Sequence, residues 1–362
     1  MIEWGNNKME LAQLGWNHFF EDQFTEFRNK GYLPARIARQ DRQVYLAYGE
    51  HGEVTAKISG RLRYKSRSQG DVPAVGDWVV LEPQGTNGTA VIHAVLPRKS
   101  RFCRKVAWVK TAEQVLAANV DHVFLVTDLD RDFSVRRIER YLTVAWESGA
   151  KPVIVLNKAD LCAEIDEHVA QVEAIAFGVP VHVVSALKMQ GLESLRQYLS
   201  GGGTIALLGS SGVGKSSLIN TLVGHDLLKT GAVRESDGKG RHVTTSRQLI
   251  LIPGGGLIID SPGMREFQLW ADEKSLGGSF EDIEQLAVKC RFRDCQHQAE
   301  PGCAVKAAIE EGTLDAGRFR SYVKLKKELR FLAIRKDQRA RLDQKVRAKR
   351  LARLIRQHHR QK

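Results

Sequence analysis

The stretch that most narrows the possible folds is an apolar run, Thr204-Ile-Ala-Leu-Leu208, followed at once by Gly209-Ser-Ser-Gly-Val-Gly-Lys-Ser216 and then by the helical pattern Ser217-Leu-Ile-Asn-Thr-Leu-Val. That order implies a buried strand, a glycine-rich turn whose backbone N–H groups face inward, and a helix starting directly beyond them. Such a turn cradles phosphates. Gly209, Ser210, Ser211, Gly212, Val213 and Gly214 would line it, Lys215 would reach the outer phosphates, and Ser216 would offer a hydroxyl to magnesium at the helix start beside Ser217.

Other apolar runs set the fold around this loop. HVFLVTDL (122–129), PVIVLN (152–157), VPVHVVSA (179–186), QLILIP (248–253) and LIID (257–260) lack polar alternation, as strands buried on both faces do. Helical stretches lie between several of them, for example 134–148 with Ser134 as N-cap. The expected fold class is therefore α/β, a doubly wound sheet of P-loop type, with ligands beyond the carboxyl ends of its strands.

Three strand ends carry further chemistry. Asp260 and Gly263 stand at D-x-x-G spacing; the carboxylate would hold magnesium and Gly263 would offer a backbone N–H to the terminal phosphate. Asn157-Lys158-Ala159-Asp160 follows a buried strand, and a carboxylate there can accept both N–H donors on the edge of guanine, a pair that adenine lacks. Ser185-Ala186-Leu187 follows another strand and would border the base. Together these loops specify GTP. Their order is unusual, since the guanine motifs at 157 and 185 precede the phosphate loop at 209, whereas GTPases ordinarily place them after it. The domain is expected to be circularly permuted, so that the strand carrying D-x-x-G ends it and leads straight into the C-terminal segment.

That segment carries Cys290, Cys295, His297 and Cys303, four ligands for a closed tetrahedral zinc site. Cys103 and Cys162 are read as structural. Residues 304–311 and 315–362 read as helices, with Leu325, Leu329, Leu332, Leu342, Leu351 and Leu354 as a partial apolar stripe. Ahead of the nucleotide motifs, 9–28 reads as one amphipathic helix that packs without chemistry, and 106–118 as a helical connector. Between them, short alternating runs such as QVYLAY and TAVIHAVL predict a five-stranded OB-type barrel over 32–105. Its basic residues Lys57, Arg61, Arg63, Lys65 and Arg67 are expected on one hairpin. The division is thus a helical arm (1–31), the barrel (32–105), the permuted domain (106–272) and a zinc-binding helical domain with a basic C-terminal helix (273–362).

Charge is distributed along the same division. The net of +13 is concentrated in residues 318–362, with 18 Lys and Arg against Glu328, Asp337 and Asp343, and in the barrel, with 13 basic against six acidic side chains. Basic flanks around a mildly acidic centre point to a polyanionic partner. The N-terminal MIEWGNNKMELAQ has neither the basic end nor the apolar run of a secretory leader, and no run suits a membrane span, so a cytoplasmic location is expected.

The permuted order, the cysteine cluster, a barrel ending in RFCRK, and the segments PAVGDWV (73–79), DFSVRRIERYL (132–142) and DSPGMREF together resemble the RsgA/YjeQ family, over residues 32 to 325. The resemblance implies a monomeric GTPase that binds the immature 30S ribosomal subunit through 16S rRNA and hydrolyses GTP to GDP. It also implies a role for the Gly240-Arg-His-Val-Thr-Thr245 segment. Met264 stands where Ras-like enzymes carry the water-orienting glutamine. The family uses a histidine instead, which corresponds to His242, and a magnesium-binding threonine, which corresponds to Thr244. Val243 departs from the commoner H-T-T-T and leaves Thr245 as an alternative. Two other readings stay open: an RNA-binding protein that only senses GTP, and a GTPase acting on another RNA.

Overall fold

The structure, a computed structural model, describes residues 8–41, 44–66, 70–82, 89–105, 113–130, 133–225, 227–228, 247–260, 279–298 and 300–330. Two compact units divide the chain: Met1–Lys105 with Ala112–Gln268, and Val106–Thr111 with Leu269–Lys362. No helix among the described residues is long and apolar enough to cross a membrane.

In the first unit the predicted helix over 9–28 is broken. Gly15, at φ +84°, ends a 3-10 turn at Leu11–Leu14, and the Asn17 side chain accepts from Phe19 N at 3.1 Å to start α1, His18–Arg28. Trp16 and Phe20 then close on Trp78, with the Trp16 and Trp78 rings 4.6 Å apart, and Phe24 packs edge-on against Trp16. The arm is a packing element.

Trp78 belongs to the barrel. Its elements are β1 (Leu33–Asp41), β2 (Val44–Gly49), β3 (Gly52–Ile58), α2 (Gly60–Lys65), β4 (Trp78–Glu82) and β5 (Thr89–Val95). The strand order β1-β2-β3-β5-β4 returns to β1, and β3 with β5 is the parallel pair, so five strands close in the OB arrangement. Ile37, Ala47, Val54, Leu81 and Ile92 fill its interior. The expected basic hairpin is not one. Lys57 lies on β3, but Arg61, Arg63 and Lys65 lie on α2, because the Ser59 hydroxyl accepts from Leu62 N at 3.1 Å and turns the chain into a helix. Arg67 lies outside the described residues.

A second correction lies just beyond the barrel. The expected connector over 106–118 is in part a strand: β6 (Arg101–Lys105) pairs antiparallel with β7 (Glu113–Ala118), Arg101 opposite Ala118. The helix-favouring residues of EQVLAA yield to this pairing, in which Leu116 and Ala117 are buried.

The nucleotide-binding half runs β8 (His122–Asp128), α3 (Val135–Ser148), β9 (Lys151–Asn157), α4 (Ile165–Glu173), β10 (Val181–Val183), α5 (Glu193–Arg196), β11 (Thr204–Leu208), α6 (Lys215–Val223), β12 (Gln248–Leu251) and β13 (Leu257–Asp260). In the order β10-β9-β8-β11-β13-β12 the first five strands are parallel. The doubly wound reading needs one amendment: β12 is antiparallel to β13, since residues 252–256 are too short for a crossover. Phe124, Val126, Val155, Ile205, Leu218 and Leu222 form its core.

Barrel and nucleotide sheet are continuous. β12 meets β1 at Gln248 and Arg39, making one eleven-stranded sheet. Beside that seam Arg36 of β1, 1% exposed, donates to Leu14 O at 2.5 Å, Gly76 O at 3.2 Å, Asn119 O at 2.8 Å and Thr204 Oγ1 at 2.9 Å, and its guanidinium lies 5.7 Å from the Trp78 ring centroid. Burial pushes this guanidinium down to about 10, against the pull of Asp121 and Asp77, so it stays charged at neutral pH. One side chain thus ties the arm, the barrel and the strand that leads into the phosphate loop. Arg36→Met should cost about 3–5 kcal/mol, because it leaves several buried acceptors without a donor. A fall in the urea midpoint would measure it, and an unchanged midpoint would refute the assignment.

The PAVGDWV segment is the other side of this joint. Asp77 takes a bidentate pair from Arg98, both contacts 2.7 Å, and accepts from Ala74 N at 2.8 Å. Gly76, at φ +89°, admits no side chain, since a Cβ there would stand 2.1 Å from Ala118 O.

The second unit has its own core. Its elements are α7 (Glu281–Val288), α8 (Ala304–Glu310) and a helical run over 316–330. Phe280, Ile283, Val305, Tyr322, Leu325 and Leu329 are buried there. Arg318 pairs bidentately with Asp282, at 2.8 Å on both contacts, and lies over Phe280. The remainder of the predicted basic helix, with Leu332, Leu342, Leu351 and Leu354, lies outside the described residues.

Candidate nucleotide site and metal centre

The phosphate loop forms where β11 gives way to α6. Gly214 sits at φ +91°, a region glycine enters without strain, and a Cβ there would meet Asn157 Nδ2 at 2.2 Å. That contact marks the junction of the site. The Asn157 amide donates to Val213 O at 2.8 Å and accepts from Ala186 N at 3.1 Å, so one side chain joins the phosphate loop, the 157–160 loop and the 185–187 loop. Three motifs separated in sequence meet in space because β8, β9, β10 and β11 are parallel neighbours whose carboxyl ends lie along one edge.

The side chains of the 157–160 and 185–187 loops are oriented by one another and by their neighbours. Ser185, fully buried, donates from Oγ to Asp160 Oδ1 at 2.5 Å and accepts from Lys188 N at 3.0 Å. Lys158 adopts the left-handed conformation at φ +61°, and its ammonium donates to Asp128 Oδ2 at 2.8 Å. A non-glycine residue in that region costs on the order of 1 kcal/mol or more, and such costs collect at binding sites. Leu187 is exposed. Sequence reasoning missed Asp128 and the Ser185 hydroxyl. Asp128 had a signal, a carboxylate ending an apolar strand beside the one that ends at Asn157.

On the phosphate side, Lys215 is buried, and its ammonium donates to Gly209 O at 2.6 Å and to Ser210 O. The Ser210 hydroxyl lies 3.4 Å from Tyr141 Oη of α3, a further contact that sequence reasoning did not anticipate. β11 and β13 run in parallel register, Ala206 opposite Ile259, which brings Asp260 level with the strand end that opens the loop. Asp260 is buried, and Ser216 is half-buried on the first turn of α6. A hydroxyl on the first turn of α6 and a carboxylate at the end of β13 are hard oxygen donors, which suit magnesium. Gly263, His242 and Thr244 lie outside the described residues.

The cysteine set forms a single cluster in the second unit. Cys290, Cys295, His297 and Cys303 bring their ligand atoms within 4.8 Å of one another. Tetrahedral zinc, with bonds of about 2.3 Å to sulfur and about 2.0 Å to nitrogen, demands about 3.8 Å between sulfurs and about 3.5 Å from sulfur to nitrogen. Cys290 Sγ lies 3.9 Å from Cys303 Sγ and 3.6 Å from His297 Nδ1, and Cys303 Sγ lies 3.4 Å from His297 Nδ1. The spacing fits a tetrahedral metal ion. Four protein ligands leave no open position, so the centre is structural.

A phosphate loop on a central strand of a permuted, largely parallel sheet, joined through Asn157 to guanine-type loops that precede it in sequence, defines a circularly permuted GTPase. The RsgA GTPase family model matches residues 95–270. The chain is 48% identical over 338 residues to the small ribosomal subunit biogenesis GTPase RsgA of Opitutus terrae, covering 91% of this chain and 92% of that one. It is 43% identical over 353 residues to the RsgA of Syntrophotalea carbinolica, covering 95% and 96%. Among solved structures it resembles YjeQ from Thermotoga maritima, with a TM-score of 0.62 and 30% identity over 82% of this chain and 98% of that chain. The chain belongs to the RsgA family of GTPases.

Proposed function

We propose that this GTPase acts on the small ribosomal subunit late in its maturation, binding 16S rRNA in the 30S particle and releasing it on hydrolysis of GTP to GDP and phosphate. The relatives carry the small-subunit biogenesis name. The supporting observation within the chain is the Asn157 bridge, which couples base recognition to the phosphate loop.

In this reading Asp160, held by Ser185, accepts the guanine N–H groups, and the Lys158 stem, held by Asp128, covers the base. Lys215 exchanges its two loop carbonyls for phosphate oxygens, and the N–H groups of 209–217 surround them. Magnesium would be held by Ser216, Asp260 and Thr244, and would neutralise charge between the outer phosphates. Water attacks the terminal phosphorus in line, the bond to the GDP oxygen breaks, and the water's protons pass to the released phosphate and solvent. His242 orients that water, since Met264 offers no hydrogen-bonding group strong enough for the task. Zinc would be held by Cys290, Cys295, His297 and Cys303 and would brace the fold around it, and the basic barrel and C-terminal tail both contact rRNA. The protein works as a cytoplasmic monomer, divided functionally at 31, 105 and 272.

Phosphate release measured with and without purified 30S particles, immature and mature, tests this directly. Stimulation by the subunit is expected, and its absence would favour a GTP-sensing RNA binder. His242→Ala should abolish the stimulated turnover while nucleotide affinity stays within about twofold, since it removes a transition-state contact only. Full turnover in that variant would sink the role given to His242.

A further inference from the structure

The short helix α2 carries a group that nothing in the nucleotide site uses. Tyr64 is 92% exposed, the most exposed aromatic side chain among the described residues, and Arg61, Arg63 and Lys65 on the same six-residue helix are exposed with it. The helix is held firmly from below. Leu62 packs against the barrel core, Ser59 N donates to Ile92 O at 2.9 Å, and Ser66 Oγ donates to Leu62 O at 2.8 Å. The inward residues fix the pedestal, and the outward ones form a planar ring flanked by three cations with no acidic residue in the helix.

We infer that α2 is a stacking site for an unpaired RNA base, in which the Tyr64 ring lies on the base while Arg61, Arg63 and Lys65 contact the adjoining phosphates. The chemistry selects this ligand. An acidic protein surface would satisfy the cations but not the ring. A duplex presents its bases edge-on and already stacked, so a tyrosine face can pair only with a base that is splayed out. The inference rests on the rRNA-binding reading above and names one contact within it.

Anisotropy titrations of the full chain against labelled single-stranded oligoadenylate, and against the same strand paired with oligouridylate, test it. Tyr64→Ala should weaken single-strand binding about tenfold, with Tyr64→Phe retaining it, while duplex binding and the salt dependence stay unchanged. Arg63→Gln should instead lower the single-strand salt slope by about 0.7. Guanine-nucleotide binding, unaltered in each variant, verifies the fold. Equal single-strand affinity in Tyr64→Ala and the parent chain overturns the inference. Loss of 30S co-sedimentation by Tyr64→Ala without loss of oligonucleotide binding also overturns it, and assigns the face to a ribosomal protein. A parent chain that ignores 30S particles yet binds oligoadenylate through Tyr64 removes the ribosomal reading and leaves the stacking site standing.

Discussion

Asp160→Asn should convert the site from guanine to xanthine nucleotides. In the parent chain Ser185 Oγ donates to Asp160 Oδ1, which on the proposed reading leaves Oδ2 and the second lone pair of Oδ1 to accept the two guanine N–H groups. An asparagine keeps an acceptor for Ser185 on its carbonyl oxygen, and that bond turns the amide N–H groups toward the ligand. Guanine then faces a donor with its own donors, whereas xanthine presents a carbonyl there. Sites built around such pairs reject the mismatched ligand by about 10⁴-fold or more, so GTP affinity should fall by orders of magnitude while XTP becomes the preferred ligand. Competition binding of GTP and XTP reads the ratio. Retained GTP preference would mean that Asp160 does not face the base. Ser185→Ala in the same background should blur the choice, because nothing then fixes which end of the amide points outward.

Removing the metal centre should unfold the second unit while sparing the first. Zinc binding supplies about 10 kcal/mol or more of folding free energy to small metal modules. The apolar core around Phe280, Ile283, Leu325 and Leu329 is too small to replace it. Cys303→Ser, which removes a buried ligand, or treatment with a strong chelator, should therefore expose 279–330 to rapid amide exchange and proteolysis, with guanine-nucleotide binding by residues 112–260 retained. Protection of 279–330 after proven metal removal would show that Arg318, Asp282 and the helices suffice. Loss of nucleotide binding would show instead that the units stabilise each other.

Much of this site is readable before any coordinates, because its chemistry is local in sequence. A strand, a glycine turn and Lys215 occupy consecutive positions, and four metal ligands fall within 290–303. What escaped was set by long-range pairing. Apolar runs such as QLILIP report burial on both faces but carry no direction, so the antiparallel β12 is invisible until the shortness of 252–256 is weighed. EQVLAA has helical residues, and only the partner strand at 101–105 makes it extended. Lys57, Arg61, Arg63 and Lys65 read as one basic hairpin although Ser59 is a helix cap in plain view. Asp128 and Tyr141 act on loops 30 and 69 residues away, separations at which no spacing rule operates.

Arg36 has a consequence for how the chain is made. Its partners lie at separations of 22, 40, 83 and 168 residues, the last being Thr204. At a synthesis rate of about 5–20 residues per second, the guanidinium waits on the order of ten to thirty seconds between leaving the ribosome and meeting its final acceptor. The barrel can gather its own apolar interior early, but it does so around a cation whose hydrogen bonds are incomplete. Completion of the joint around this cation thereby waits on synthesis of the strand that leads into the phosphate loop, and a chain interrupted before that strand has the carbonyls of Leu14, Gly76 and Asn119 in place but lacks the Thr204 hydroxyl, leaving a buried guanidinium one acceptor short.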